Sequence, residues 1–146
     1  MSEDLGFLIG DTARLMRRAF DERVRNKGIT RPQWRVLGLL NRFGGSTQVT
    51  LAEMMDVEPI TLGRMIDRMQ DAGLVERRAD PNDRRAWRIH LTPTGKSRLD
   101  DLKPLATELF ADAVSGLTDK QQADLEAMLD IIRLNLTRKS PEAANG

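Results

Sequence analysis

The chain has 146 residues and a formal net charge of +1, from 23 Lys+Arg against 22 Asp+Glu; it is 31% charged, 40% hydrophobic and only 4% aromatic. No apolar run approaches the ~20 residues that span a bilayer, and the absence of cysteine excludes a disulfide framework, a Cys-ligated metal site and a thiol redox switch. A single histidine excludes a multi-His metal site, so neither metal nor cofactor is expected, and the apolar patch of the acidic start is too short for a signal peptide, which points to the cytoplasm.

Leu5, Leu8, Ile9, Thr12, Leu15, Met16, Ala19, Phe20 and Val24 recur at spacings of three and four, which predicts a one-faced first helix of roughly 20 residues ended by Gly28. Thr30-Arg31-Pro32-Gln33 reads as a capping box for a second helix, with Trp34, Leu37, Leu40 and Phe43 facing inward and Gly44-Gly45-Ser46 breaking it. Thr50-Leu51-Ala52-Glu53 reads as another capping box, opening a short helix that buries Leu51 and Met55. Pro59 suits the first turn of the next helix, which runs to about Ala72 with Gly73 closing it. Its inner stripe is Leu62, Ile66 and Met69; its outer stripe is Thr61, Arg64 and Arg68.

Leu74 to Arg78 reads as a strand, Asp80-Pro81-Asn82-Asp83 as a turn, and Ala86 to Leu91 as a returning strand that places Trp87, Ile89 and Leu91 on one side. Trp87 is expected to anchor this hairpin to the body, and Asp83 to orient Arg84 or Arg85 by a salt bridge. Thr92-Pro93 opens a long helix to about Gly116 with an apolar stripe through Leu99, Leu102, Leu105, Ala106, Leu109, Ala113 and Leu117. Thr118-Asp119-Lys120-Gln121 caps a last helix lined by Leu125, Met128, Leu129, Ile132 and Leu136, and residues 140–146 read as a flexible tail.

Charge is not spread evenly along this order. Residues 60–98 hold nine basic and five acidic groups, a net +4, whereas residues 99–146 hold five and nine, a net −4. The basic stretch coincides with two helices joined by a tight turn and followed by a hairpin, the pattern of a winged helix-turn-helix. The fold class is therefore mainly α with a small β-hairpin wing. A helix enters a major groove when one face packs and the other offers small and basic groups. Arg64, in the N-terminal half, suits a bidentate contact to guanine. Thr61 suits a thymine methyl or a phosphate, and Arg68 a phosphate. Arg84 and Arg85 at the wing tip suit a narrow, A/T-rich minor groove. Arg77 and Arg78 either brace the wing or reach phosphate.

Several runs carry a resemblance. They are Ile29-Thr30-Arg31-Pro32-Gln33-Trp34-Arg35-Val36-Leu37, then Leu51-Ala52-Glu53 and Thr61-Leu62-Gly63-Arg64-Met65-Ile66-Asp67-Arg68-Met69. Glu76 to Ala86, with Asp80-Pro81-Asn82-Asp83-Arg84-Arg85 at its centre, and Leu91-Thr92-Pro93-Thr94-Gly95 complete the set. The stretch from Ile29 to Gly95 resembles the MarR family of bacterial transcriptional regulators, and the Gln33-Trp34 pair resembles the SlyA branch most. The resemblance implies a winged helix-turn-helix at 30–92 and a helical dimerisation region at 5–29 and 93–139. It implies a homodimer on a pseudopalindromic operator in double-stranded DNA, commonly a repressor, and in many members released by a small aromatic or anionic effector. The family's recognition-helix contacts map to Thr61, Gly63 and Arg64, and its wing contacts to Arg84 and Arg85. Pro59-Ile60 departs from the polar side chains many relatives carry there, so the operator does not carry over. The effector region maps to Arg17, Phe20, Arg31, Trp34 and Arg35, where an aromatic beside guanidinium groups suits a planar carboxylate.

A dimer also follows from physics, because one helix-turn-helix reads a short half-site and two-fold symmetry sets two of them ~34–36 Å apart. The apolar stripes of the first and last two helices exceed what the winged helix covers, and mutual burial between copies removes them from water. The alternative function is a helical adaptor that binds a protein through the winged helix. An enzyme is not expected, since no nucleophile–base pair or phosphate loop is present.

Overall fold

The computed structural model describes residues 2–138. The elements in order are α1 (Ser2–Val24), a 3-10 turn (Arg25–Lys27), α2 (Arg31–Arg42), β1 (Ser46–Thr47), α3 (Gln48–Met55), α4 (Pro59–Asp71), β2 (Val75–Asp80), β3 (Asp83–Leu91), α5 (Pro93–Ala113) and α6 (Asp119–Arg138). The chain divides into two compact units, Met1–Leu109 and Phe110–Gly146. The fold is mostly helical with one small antiparallel sheet in the order β1-β3-β2. Lys139 and the tail expected at 140–146 lie outside the described residues.

Helix boundaries follow from local chemistry. Gly28 closes the 3-10 turn with φ 70°, a left-handed conformation that a Cβ disfavours. The Thr30 hydroxyl accepts from the Gln33 backbone N–H at 3.3 Å while Gln33 Oε1 accepts from the Thr30 N–H at 3.1 Å, so the capping box forms as expected. The same reciprocal pair forms between Thr118 and Gln121 at the start of α6. The start of α3 differs from the sequence expectation. Its cap is Thr47, whose hydroxyl accepts from the Thr50 N–H at 3.2 Å, so Thr50 is already inside the helix. The reason is β1: Ser46 and Thr47 are held extended by pairing with Ile89 and Arg88, which starts the helix three residues earlier. So short a strand has no periodicity to read.

The core of the first unit gathers Phe20 and Val24 from α1, Val36, Leu37 and Leu40 from α2, Leu51, Ala52 and Met55 from α3, and Leu62, Ile66 and Met69 from α4. Ile29, Leu74, Val75, Ile89, Leu102 and Leu109 complete it. The inner stripe expected for α4 is buried throughout. Phe43 is not in this core. It sits at the C-cap of α2 with φ −127° and ψ 56°, 47% exposed, and the Arg42 guanidinium stacks over its ring at 5.9 Å. Leaving the helix one residue before the glycines turns Phe43 off the apolar face.

One motif locks the wing to α5. The Thr92 hydroxyl donates to the Gly73 carbonyl at 2.5 Å and accepts from the Gly95 N–H at 3.0 Å, and the Thr92 N–H donates to Leu74 O at 3.2 Å. A Cβ on Gly95 would lie 2.0 Å from Leu74 O, so only glycine lets the first turn of α5 close on that carbonyl.

Candidate nucleic-acid interface

The pair α3–α4 is built around a tight turn. Asp56 ends α3 in the left-handed region at φ 53°, and its N–H donates to Glu53 O at 3.2 Å. Pro59 then occupies the first turn of α4, where an N–H would have no intrahelical partner. Gln48 Nε2 donates to Pro59 O at 3.3 Å, tying the start of α3 to the start of α4.

With Leu62, Ile66 and Met69 buried, α4 turns Thr61, Arg64 and Arg68 outward, and all three are exposed. Gly63 is placed differently. It is half-buried, and a Cβ there would approach Gln48 Nε2 to 2.8 Å. Its carbonyl accepts from Arg77 Nη2 at 3.2 Å. That guanidinium also reaches Gln70 Oε1 at 2.8 Å and Asp67 Oδ1 at 2.7 Å. Three acceptors on successive turns of α4 thus hold one arginine of β2, so Arg77 braces the wing. Arg78 pairs with Glu76 on its own strand.

In the hairpin, β2 and β3 pair from Val75↔Leu91 to Asp80↔Asp83, with a bulge between Ala79 and Asp80. Asp80 organises its tip. One carboxylate oxygen accepts from the Asn82 N–H at 2.8 Å and the other from Arg88 Nε at 3.0 Å. Arg88 Nη1 donates onward to Gly45 O at 2.8 Å, fastening the hairpin to the turn after α2. The Asn82 N–H, with the Arg88 guanidinium and the Asp83 N–H, holds the Asp80 carboxyl below the ordinary range, against an opposing pull from burial. The arginine-orienting acid of the wing is therefore Asp80, with Arg88 as its partner. Asp83 does not take a guanidinium: its Oδ1 accepts the backbone N–H of Arg85 at 3.0 Å, which is a turn role. Arg84 and Arg85 are exposed, and among the described residues their guanidinium groups, like those of Arg64 and Arg68, have no partner. Trp87 is not an anchor. It is 51% exposed and pairs across the strand with Ala79, whereas Ile89, two residues further on the same face, is fully buried.

The MarR family model matches residues 29–87, from just before α2 to the middle of β3. A mutant MarR from E. coli, solved in complex with operator DNA, is 30% identical over 88% of this chain and 93% of that one, with a TM-score of 0.73. The chain belongs to the MarR family. A MarR regulator from Methanosarcina mazei is 28% identical over 94% of this chain and 99% of its own, with a TM-score of 0.82. The HTH-type transcriptional repressor IacR from Pseudomonas putida is 30% identical over 72% of this chain. The match spans 63% of that repressor's length. Membership of MarR identifies the α3–α4 pair and the hairpin as a winged helix of a transcription-regulator family. These relatives are transcriptional regulators, not enzymes. No described helix is long and apolar enough to cross a membrane.

A second cluster lies between α1 and α2. The rings of Phe20 and Trp34 meet edge to face at 4.6 Å. Trp34 Nε1 donates to Asp21 Oδ1 at 3.0 Å, and the Arg31 guanidinium pairs with Asp21 Oδ2. Burial pulls the Asp21 carboxyl upward, but its bonds from Arg31 and Trp34 outweigh this and hold it below the usual range; Asp21 in turn raises Arg31. Of the residues the resemblance assigned to an effector, Phe20, Arg31 and Trp34 are thus brought together. Arg17 is exposed and Arg35 half-buried, and neither has a side-chain partner among the described residues. Sequence reading missed Asp21, because no local spacing links it to Arg31 and Trp34 across the α1–α2 turn.

Proposed function

We propose that the protein is a sequence-specific regulator of double-stranded DNA, a repressor that acts as a homodimer on a pseudopalindromic operator. The observation that carries this reading is the sorting of arginines on α4 and the hairpin. Arg77 and Arg88 fasten the wing, and Arg78 pairs on its own strand. Arg64, Arg68, Arg84 and Arg85 are left exposed without protein partners among the described residues. In this reading α4 lies in the major groove with Arg64 on a guanine edge, Thr61 and Arg68 beside it, and Gly63 keeping the helix close to α3. Arg84 and Arg85 enter the flanking minor groove. That a family relative was solved in complex with operator DNA supports duplex DNA as the partner of this face.

Residues 30–92 form the DNA-binding module, and residues 5–29 and 93–139 the dimerisation region. What supports the dimer is apolar surface. Leu5, Phe7, Leu8, Ile9 and Leu15 of α1 are exposed, as are Leu125, Met128, Leu129, Ile131, Leu134 and Leu136 of α6. Contiguous apolar faces of this kind are uncommon on monomers and are covered by a second copy. The Gln33-Trp34 pair supports a place near the SlyA branch. Effector release, if coupled through the α1–α2 cluster, would use the Phe20–Trp34 pair as an aromatic wall. Arg17 and Arg35 would receive the anion, because Arg31 is already neutralised by Asp21.

The test is selection of binding sites from a random-sequence duplex library. Two related half-sites one helical turn apart are expected, lost on Arg64→Ala. Recovery of no duplex would refute the reading and favour the protein-binding adaptor.

A further inference from the structure

We infer that Ile60 reads a thymine through its C5-methyl group, within two base pairs of the guanine taken by Arg64. This deepens the DNA-binding reading and rests on it. Ile60 is 71% exposed in the first turn of α4, although three aliphatic residues of the same helix are completely buried. A lone exposed apolar residue needs no explanation by itself; its position does. Ile60, Arg64 and Arg68 stand four residues apart and form one ridge of the helix. The ridge therefore offers an aliphatic group followed by two guanidinium groups without partners among the described residues.

A protein partner on this ridge would have to bury both guanidinium groups and supply acids for them. A major groove supplies their acceptors already. There the complement to an aliphatic side chain is the thymine methyl, whereas the edges of G, C and A present polar atoms that Ile60 would cover without satisfying. Four residues rise ~6 Å along a helix, and base pairs are ~3.4 Å apart, so side chains one turn apart address positions about two steps apart. Ile60 also lies nearer the N-terminus of α4 than Arg64, at the end where recognition helices reach base edges.

The experiment uses the duplex enriched from a random library by the wild-type protein. Each dT is replaced singly by dU, which removes only the methyl group, and binding is measured for wild type and Ile60→Ala. One position per half-site should weaken wild type about fourfold when the methyl is lost, and leave Ile60→Ala unchanged. With that position replaced by dU in both half-sites the two proteins should bind alike, and their melting temperatures should match because Ile60 is exposed. If every dU replacement affects both proteins equally while Arg64→Ala still abolishes preference, the Ile60 assignment is wrong and the DNA-binding reading stands. If wild type binds no duplex, both are wrong.

Discussion

Seven arginines lie on α4 and the hairpin, and their partners divide them into two groups. Three are held by carboxylates, a side-chain amide or backbone carbonyls, and four have no such partner among the described residues. The division predicts opposite phenotypes. Arg64→Ala should cost about 1–3 kcal/mol on the selected site and relax its sequence preference, measured by titration against single-base variants. Arg85→Ala should weaken binding most on duplexes with A/T-rich flanks. Arg77→Ala should instead lower the melting temperature, because Gly63, Asp67 and Gln70 lose their shared donor. The residue types and the outward stripe of α4 were legible in sequence. The sorting was not, since Arg77 finds Gly63 14 residues away and Arg88 finds Gly45 43 residues away. Asp21 and Asp80 set an acid limit. Both carboxyls are depressed in the folded protein, so their stabilisation is complete above the unfolded value of about 3.9 and is lost as pH falls through the folded values. Asp21→Asn should flatten the acid limb of a stability–pH curve measured by urea unfolding below about pH 4. An unchanged limb would contradict the assignment.

At the scale of elements, the joint between α4, β2 and α5 is a close backbone approach with no slack. Gly95→Ala should destabilise by about 1–3 kcal/mol or more, because the new methyl meets a carbonyl, not a side chain that can move. Leu62→Ala, which opens a cavity in a fully buried position, should cost about 2–5 kcal/mol. Denaturant midpoints check both. The capping boxes at Thr30 and Thr118 and the stripe of α4 were readable because each is set by contacts within one helix. The start of α3 and the exposure of Trp87 were not. The first depends on a strand pairing with Ile89 and Arg88, and the second on how far out along the hairpin the core reaches, which covers Ile89 but not Trp87. Asp83 read as the arginine-orienting acid because Arg84 and Arg85 follow it directly, whereas the guanidinium that an acid of the tip does hold is Arg88, eight residues from Asp80 across the hairpin.

For the whole molecule, the net charge of +1 conceals +4 over residues 60–98 and −4 over residues 99–146. Composition alone therefore says little about a polyanionic partner, whereas the local basic surplus coincides with α4 and the wing. The exposed apolar faces of α1 and α6 predict a dimer that persists on dilution. Sedimentation at low concentration should show it, and a stable monomer would contradict it. The central claim, that the exposed guanidinium groups of Arg64, Arg68, Arg84 and Arg85 make a DNA-binding face, is tested most directly by titrating the selected duplex across a range of salt concentrations. If Arg64 reads a base and, in both protomers, Arg68 at a phosphate and Arg84 and Arg85 in the minor groove each displace one condensed counterion, log K should fall against log salt with a slope of about −5. The slope should become shallower when Arg68 is replaced by alanine. A flat dependence, or equal affinity for selected and unrelated duplexes, would contradict the account.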